Sequence, residues 1–439
     1  MRIDQLRLIH FRGISDLTLD FPERTTVLVG VNGAGKSSIL DALRFLLMRF
    51  SEHLHAVLLA KDDPRLLRQR AQAASVPSLS DIQVGRLNLQ LEVLASIEGR
   101  TLNWSIASQP APLGGFEVLA SLQGTLPFFE AHSAQAWKNP QLSIPLFAYY
   151  FGGYYSAEEE DPKYTEEAIQ NQFSAYEHAL DGTAIASAVP FVKWFRQRED
   201  YENEKRTENS LFRDAQLEAV RGAVRELLPG LDNLRIRRQP ARMLIQKRGA
   251  ELELKHLSAG ERYLLALGGD IARRLALANP AAQEPRLCNG VILIDEIETH
   301  LHPGWQRKII PALERTFPNC QFIVATHSPQ VLSEVRPVSI YLLDQEQGEL
   351  KVTRPSLSYG RDTNRILEEV MGVPERPDEI RQKLGEYFRL IAMGKQENAR
   401  ALRQELEKEI GPDEPEFARA DVLIRAQELL SDETHHQGS

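Results

Sequence analysis

The sequence predicts an α/β protein: a mixed sheet with helices on both faces, a helical insert and a helical C-terminal region. Three stretches carry that prediction. Thr25-Thr26-Val27-Leu28-Val29 is a β-branched apolar run leading into a glycine-rich loop, and Ile39, Leu40, Leu43, Leu46 and Leu47 then recur at helical spacing. Gly290-Val291-Ile292-Leu293-Ile294 is an unbroken apolar run ending in Asp295-Glu296, and Gln321-Phe322-Ile323-Val324-Ala325 ends in Thr326-His327-Ser328-Pro329. Runs without alternation read as parallel strands covered on both faces, and ligands of open α/β sheets bind at the carboxyl ends of such strands.

The loop after the first run, Gly30-Val31-Asn32-Gly33-Ala34-Gly35-Lys36-Ser37, satisfies G-x-x-x-x-G-K-[ST] at every position. Its glycines let backbone N–H groups turn onto phosphate oxygens, and the following helix adds its positive end. The pattern assigns ATP to Asn32, Gly33, Gly35, Lys36, Ser37 and Ser38, with Lys36 reaching the β- and γ-phosphates and Ser37 holding Mg²⁺.

Composition sets bounds on the rest. The chain has 439 residues, 42% hydrophobic and 26% charged, with a net charge of −9. That is ordinary for a globular protein of one large or two to three smaller domains, and it is silent on nucleic-acid binding. Cys288 and Cys320, with no C-x-x-C pair, suggest neither a disulfide framework nor a zinc site. No signal-peptide pattern and no run of about 18 apolar residues is present, so a cytoplasmic protein outside the membrane is expected.

In chain order, Ile3, Leu6 and Leu8 and then Leu17, Leu19 and Phe21 predict two antiparallel strands joined at Phe11-Arg12-Gly13. Arg12 has two readings, a side approach to the bound phosphates or a solvated turn. Residues 86–106 predict a hairpin around Glu98-Gly99. Residues 144–155 read as a buried strand running into an aromatic, glycine-containing turn, whose rings either fill the core, the favoured reading, or stack a base. Residues 161–230 read as charged and helical, and Arg198–Asn209 lacks the apolar positions of a coiled-coil seam. The basic stretch Arg235–Arg242 either meets a phosphate backbone or protects a strand edge.

His256-Leu257-Ser258-Ala259-Gly260-Glu261-Arg262 opens a helix and sets a hydroxyl and free N–H groups at its positive end. Asp295 is expected to hold Mg²⁺, and Glu296 to polarise the water that attacks the γ-phosphate. His327, at a neighbouring strand end, is expected to hydrogen-bond that phosphate or water. Lys36, Glu296 and His327 are thus the catalytic candidates, and Ser37 and Asp295 the metal candidates.

The order of these motifs resembles the ATP-binding-cassette ATPases, within them the branch of SMC-type and OLD-type ATPases. Glu298-Thr299-His300-Leu301-His302-Pro303 resembles the loop that this branch carries after its acidic strand. The resemblance implies that Ser258 and Gly260 of one subunit cap the γ-phosphate held by Lys36 of another, so that ATP assembles a head-to-tail dimer or a higher even oligomer. Ala259 and Glu261 depart from the transporter-type signature, and Gln83 is a candidate for the glutamine of the lobe loop. In this loop His300 and His302 are expected to pack or hydrogen-bond at the dimer seam in preference to binding metal.

A closer similarity runs through Ala148-Tyr149-Tyr150, Trp194-Phe195, Trp305-Gln306 and Tyr359-Gly360-Arg361-Asp362 to the compact ATPases of Septu- and retron-type anti-phage systems. It implies a separately encoded HNH nuclease as partner; nothing in the chain resembles a nuclease domain. The rival reading is a repair or chromosome-maintenance ATPase that clamps DNA directly, and a transporter subunit is disfavoured by the insert and tail. The expected organisation is residues 1–50 and 251–355 as the two parts of the ATPase core and 51–250 as the insert or lobe. Residues 356–432 form a helical region for partner docking or oligomerisation, against the reading that it only covers the core, and 433–439 are a disordered tail.

Overall fold

The computed structural model describes residues 1–59, 77–111, 116–125, 143–152, 172–183, 185, 189–239, 241–346 and 348–436. The chain divides into two compact units, Met1–Ile366 and Leu367–Ser439.

The first unit is organised by a six-stranded sheet. Its strands are β3 (Thr25–Gly30), β7 (Leu146–Phe151), β11 (Gly290–Asp295), β12 (Cys320–Thr326), β13 (Ile340–Glu346) and β14 (Glu349–Thr353), in the order β14-β13-β3-β12-β11-β7. All neighbours run parallel except the β13–β14 edge pair. Every residue of β11 and β12 is buried, which is why their sequences show no alternation.

A second, antiparallel sheet contains β1 (Arg2–Phe11), β2 (Ile14–Asp20), β4 (Leu89–Ile97), β5 (Arg100–Pro110) and β6 (Phe116–Ser121) in the order β2-β1-β4-β5-β6. Here burial alternates along β4, with one face inward. The β4–β5 hairpin turns at Glu98 and Gly99, both with positive φ, the geometry that suits a two-residue hairpin. Helix α1 (Lys36–Leu59) lies between the two sheets, and Trp104 of β5 donates its indole N–H to the Leu46 carbonyl at 2.8 Å.

Within residues 161–230, read as helical throughout, the described part is more broken. Residues 172–183 form short turns, helix α2 spans Val189–Glu208 and α3 spans Ala215–Leu227; 161–171, 184 and 186–188 lie outside the described residues. The charged run on α2 is solvated on one side only, at Asp200, Glu204 and Glu208. Glu199 and Glu202 are buried under Arg221, with Arg238 also on Glu199. The basic stretch forms a hairpin of β8 (Leu231–Arg238) and β9 (Ala241–Lys247), continued by β10 (Ala250–Glu253), with β8 at the edge of that sheet. Its cations are paired: Arg235 with Glu251, Arg237 and Arg242 with Glu253, and Arg238 with Glu199 and Asp200.

Helix α4 (Ala259–Ala278) is buried along most of its length. Its Asp270 accepts from Arg273, Arg274 and the Tyr150 hydroxyl, a closed charge cluster that explains how a buried carboxylate is tolerated. Phe147, Tyr149 and Tyr150 are core side chains, in line with the favoured reading of the aromatic strand; Tyr154 and Tyr155 lie outside the described residues. Three short helices, α5 (Pro303–Gln306), α6 (Ile309–Thr316) and α7 (Pro329–Leu332), complete the elements around the site. Cys288 and Cys320 are free thiols, and burial pushes Cys320 up to about 12.

The second unit is helical: α8 (Asp378–Ala392), α9 (Gln396–Ile410) and α10 (Pro415–His436). Leu384, Tyr387, Ile391, Ala399, Leu406 and Phe417 form its own core, with Tyr387 and Phe417 edge to face at 6.0 Å. Helix α10 reaches His436, inside the stretch read from the sequence as disordered. Among the described residues no helix is long and apolar enough to cross a membrane.

Candidate functional site

The phosphate loop joins β3 to α1, as its pattern requires, and Gly33 and Gly35 adopt φ of 82° and 95°, open to glycine at little strain. Lys36 begins α1 and folds its ammonium back over the loop, donating to the carbonyls of Gly30 at 2.9 Å and Val31 at 3.0 Å. Burial lowers the Lys36 pKa, against the opposing pull of Asp295, Glu298 and Glu296. The loop is also braced from β13, where the Gln345 amide donates to the Gly33 carbonyl at 3.1 Å. Sequence reasoning had no signal for Gln345, which lies far along the chain.

Opposite, β11 delivers the two carboxylates. Asp295 is buried, accepts the Glu296 N–H at 3.1 Å and hydrogen-bonds the Ser37 hydroxyl. Burial raises its pKa, with the Ser37 bond pulling the other way. Glu296 sits at φ 53°, a left-handed backbone unusual for a non-glycine residue, and accepts from the Thr299 hydroxyl at 3.3 Å. Such outliers cluster at functional sites because the surrounding packing holds them. Here Gly152, just past β7, is what makes room: a Cβ there would stand 2.6 Å from the Glu296 carbonyl.

His327 follows β12, the neighbour of both β3 and β11, so the three motif strands are adjacent and their carboxyl ends converge. Its backbone N–H donates to Glu298 at 2.7 Å, and the Thr326 hydroxyl donates to the other oxygen of the same carboxylate, also at 2.7 Å. The next residue, Ser328, donates to Gln306 at 2.7 Å and caps α7. Lys36, Ser37, Asp295, Glu296 and His327 are therefore brought together, with Glu298 among them as a carboxylate to which the sequence had assigned no role.

Ser258 is the N-cap of α4. It closes a capping box with Glu261, which is held in turn by Lys247 at 2.7 Å. The serine is exposed. Gly260 packs on the loop after β11, where a Cβ would lie 3.0 Å from the His300 carbonyl, so part of its role is internal. His302 caps α5 by accepting the Gly304 N–H, and the His300 ring lies 6.0 Å from Tyr263.

Arg12 is half-buried and held in place. It is paired with Asp41 of α1 at 2.7 Å and with Asp81 at 2.8 Å. Beside it, Gln83 donates its amide N–H to Ser15 at 3.0 Å, and its buried carbonyl Oε1 has no partner among the described residues. The Ser37 hydroxyl and the Asp295 carboxylate, hydrogen-bonded to each other, are hard oxygen donors suited to Mg²⁺ and ill suited to softer metals.

Comparison with known proteins accords with this geometry. Residues 149–333 match a family model described as "AAA domain, putative AbiEii toxin, Type IV TA system", and residues 5–76 match one described as "AAA domain". The chain is 32% identical to the retron Ec83 probable ATPase of Escherichia coli over 480 aligned residues, covering 94% of this chain and 85% of that one. It belongs to the retron ATPase family.

A second family member, the retron Vc95 probable ATPase of Vibrio cholerae, is 26% identical over 92% of this chain and 86% of its own. The Septu protein PtuA of Bacillus thuringiensis is 29% identical over 30% of this retron-type ATPase and 35% of its own length. Among solved structures, the SMC head domain from Thermotoga maritima superposes with a TM-score of 0.46 at 15% identity, covering 81% of this chain and all of that one. In this retron-type ATPase the phosphate loop is carried by a mostly parallel six-stranded sheet, beside a five-stranded antiparallel sheet.

Proposed function

We propose that this protein binds and hydrolyses ATP with Mg²⁺, dimerises head to tail around the nucleotide, and regulates a separately encoded nuclease of the HNH type in anti-phage defence. The observation that carries the reading is the convergence of Lys36, Asp295, Glu296 and His327 at the carboxyl ends of three adjacent strands. Each residue type there meets a need of phosphoryl transfer. Lys36 neutralises the β- and γ-phosphates, Glu296 orients the attacking water and accepts its proton, and His327 hydrogen-bonds the transferred group. Ser37 and Asp295 would hold Mg²⁺, which supplies charge neutralisation at the phosphate oxygens. Asn32, Gly33, Gly35 and Ser38 complete the cradle. Arg12, held by Asp81 through Nε and by Asp41 through Nη1, would join it through its remaining guanidinium N–H groups.

The exposed N-terminus of α4 supports the shared site. Ser258 and Gly260 present a hydroxyl and a positive helix end outward, suited to the γ-phosphate of a second subunit. The helical second unit is assigned to docking of the partner, by analogy with amphipathic helices that dock through an apolar face. The rival, a DNA-clamping repair ATPase, is less well supported, because the arginines of the β8–β9 hairpin are already ion-paired.

The test is mass by light scattering of the Glu296→Gln protein with and without ATP and Mg²⁺, repeated with Ser258→Arg added. Growth in mass with ATP that the second change abolishes is the expected result. A mass indifferent to ATP would end the dimerisation reading.

A further inference from the structure

We infer that Glu298 is a positioning residue for His327, fixing the catalytic histidine through its backbone; the inference rests on the ATPase reading above. One carboxylate spans two chain segments. Its Oε1 accepts the His327 N–H at 2.7 Å and its Oε2 accepts the Thr326 hydroxyl at 2.7 Å. The donors are the last residue of β12 and the residue after it, so the carboxylate grips the chain where it leaves the sheet. Charge-assisted bonds of this length are stronger than neutral ones, and a two-point grip fixes orientation as well as position.

The same two segments are bridged again close by. Gln306, three residues beyond Pro303 on α5, accepts the Ser328 hydroxyl at 2.7 Å and donates its own amide to the Leu301 carbonyl at 2.9 Å. Glu298 and Gln306 therefore tie the loop after the acidic strand to the histidine turn on both sides of His327. That loop also carries the His300 carbonyl against which Gly260 packs, and Thr299, whose hydroxyl donates to Glu296. The histidine is thus registered against Glu296 by one short stretch of chain. A displacement of His327 by about 1 Å is enough to lower a rate substantially when the group must meet a reacting phosphate.

Glu298 acts through His327 and does not itself touch substrate. The experiment measures steady-state ATP turnover of the full chain, and binding of a fluorescent ATP analogue, for Glu298→Ala, Glu298→Gln, His327→Ala and the Glu298→Ala/His327→Ala double variant. Glu298→Ala is expected to lower kcat about tenfold or more with analogue affinity within about threefold of the parent. Glu298→Gln recovers most of the loss, since its carbonyl still accepts from His327 and its amide can donate to the Thr326 hydroxyl. In the His327→Ala background, removing Glu298 adds less than about twofold.

Parental turnover in Glu298→Ala, multiplying effects in the double variant, or a Gln variant as slow as Ala would each overturn the assignment. If Glu298→Ala does not fold, Glu298→Asp, shorter by one methylene, stands in the same comparisons. A parent protein that turns over no ATP overturns the ATPase reading itself, an outcome distinct from an active parent indifferent to Glu298.

Discussion

Gly152 lies against Glu296 with no room for a side chain: a Cβ at that position would stand 2.6 Å from the Glu296 carbonyl oxygen and 3.0 Å from the Thr299 Cβ. Gly152→Ala is expected to destabilise the protein by about 1–3 kcal/mol, as overpacking does. Because the displaced atoms belong to the proposed catalytic turn, kcat should fall by about tenfold or more while ATP still binds. Turnover at the parental rate would show that the turn shifts without consequence.

Asp295 should trade stability for function. Burial holds its native pKa above the unfolded value, so between the two values the folded state binds more protons. Its penalty therefore stands in full above the raised native pKa, eases as pH falls through that value, and is gone below the unfolded one. Asp295→Asn removes the charge and can keep both hydrogen bonds. It should raise the nucleotide-free Tm at neutral pH, by on the order of 1–3 °C, while the Mg²⁺-dependent part of ATP stabilisation disappears. A lower Tm would contradict this account.

Lys36→Ala should remove nucleotide stabilisation. At a hundred times its Kd, a ligand specific for the folded state contributes about 2.7 kcal/mol, visible as a Tm shift in the parent. Without the ammonium, which the fold holds over the loop at Gly30 and Val31, ATP and Mg²⁺ should leave Tm unchanged. Retention of the shift would place the nucleotide elsewhere.

Arg238 separates the structural role of the basic hairpin from a nucleic-acid role. It pairs with Glu199, which is buried, and with Asp200. Arg238→Ala should cost about 1–3 kcal/mol in chemical unfolding, through a carboxylate left short of a partner. The salt dependence of any DNA binding should not change. A reduced salt slope on losing Arg237 and Arg238 together would instead revive the clamp.

The parts of the site that were legible in the sequence are those whose chemistry fixes residue types at short spacing. Gly30–Ser37, Asp295-Glu296 and the capping Ser258 each sit within one turn or one strand end, and their flanking apolar periods identify the elements that carry them. The β4–β5 hairpin was legible for the same reason, from Glu98-Gly99 between two alternating runs. What could not be read depends on pairs far apart in the chain. Arg12 was weighed between phosphate and solvent, whereas it meets Asp41 and Asp81. The arginines of β8 were weighed between a phosphate backbone and a protected strand edge; β8 is an edge strand, but their pairing with Glu199, Glu251 and Glu253 could not be read because those residues come from other segments. Gln345 carries no local mark, and Gly152 shows only as part of a glycine-containing turn, since the significance of both lies in what stands opposite them.

The neighbours of β3 bear on how the protein is made. The phosphate-loop strand, Thr25–Gly30, leaves the ribosome long before its partners in the sheet, Cys320–Thr326 and Ile340–Glu346, are translated. During synthesis the nucleotide cradle has no frame, and loop-closing contacts of that separation form slowly. A chain released before β13 emerges cannot hold its phosphate loop in register. Incomplete translation products are thus expected to be inert toward ATP, and competence arrives only when nearly the whole first unit has been translated.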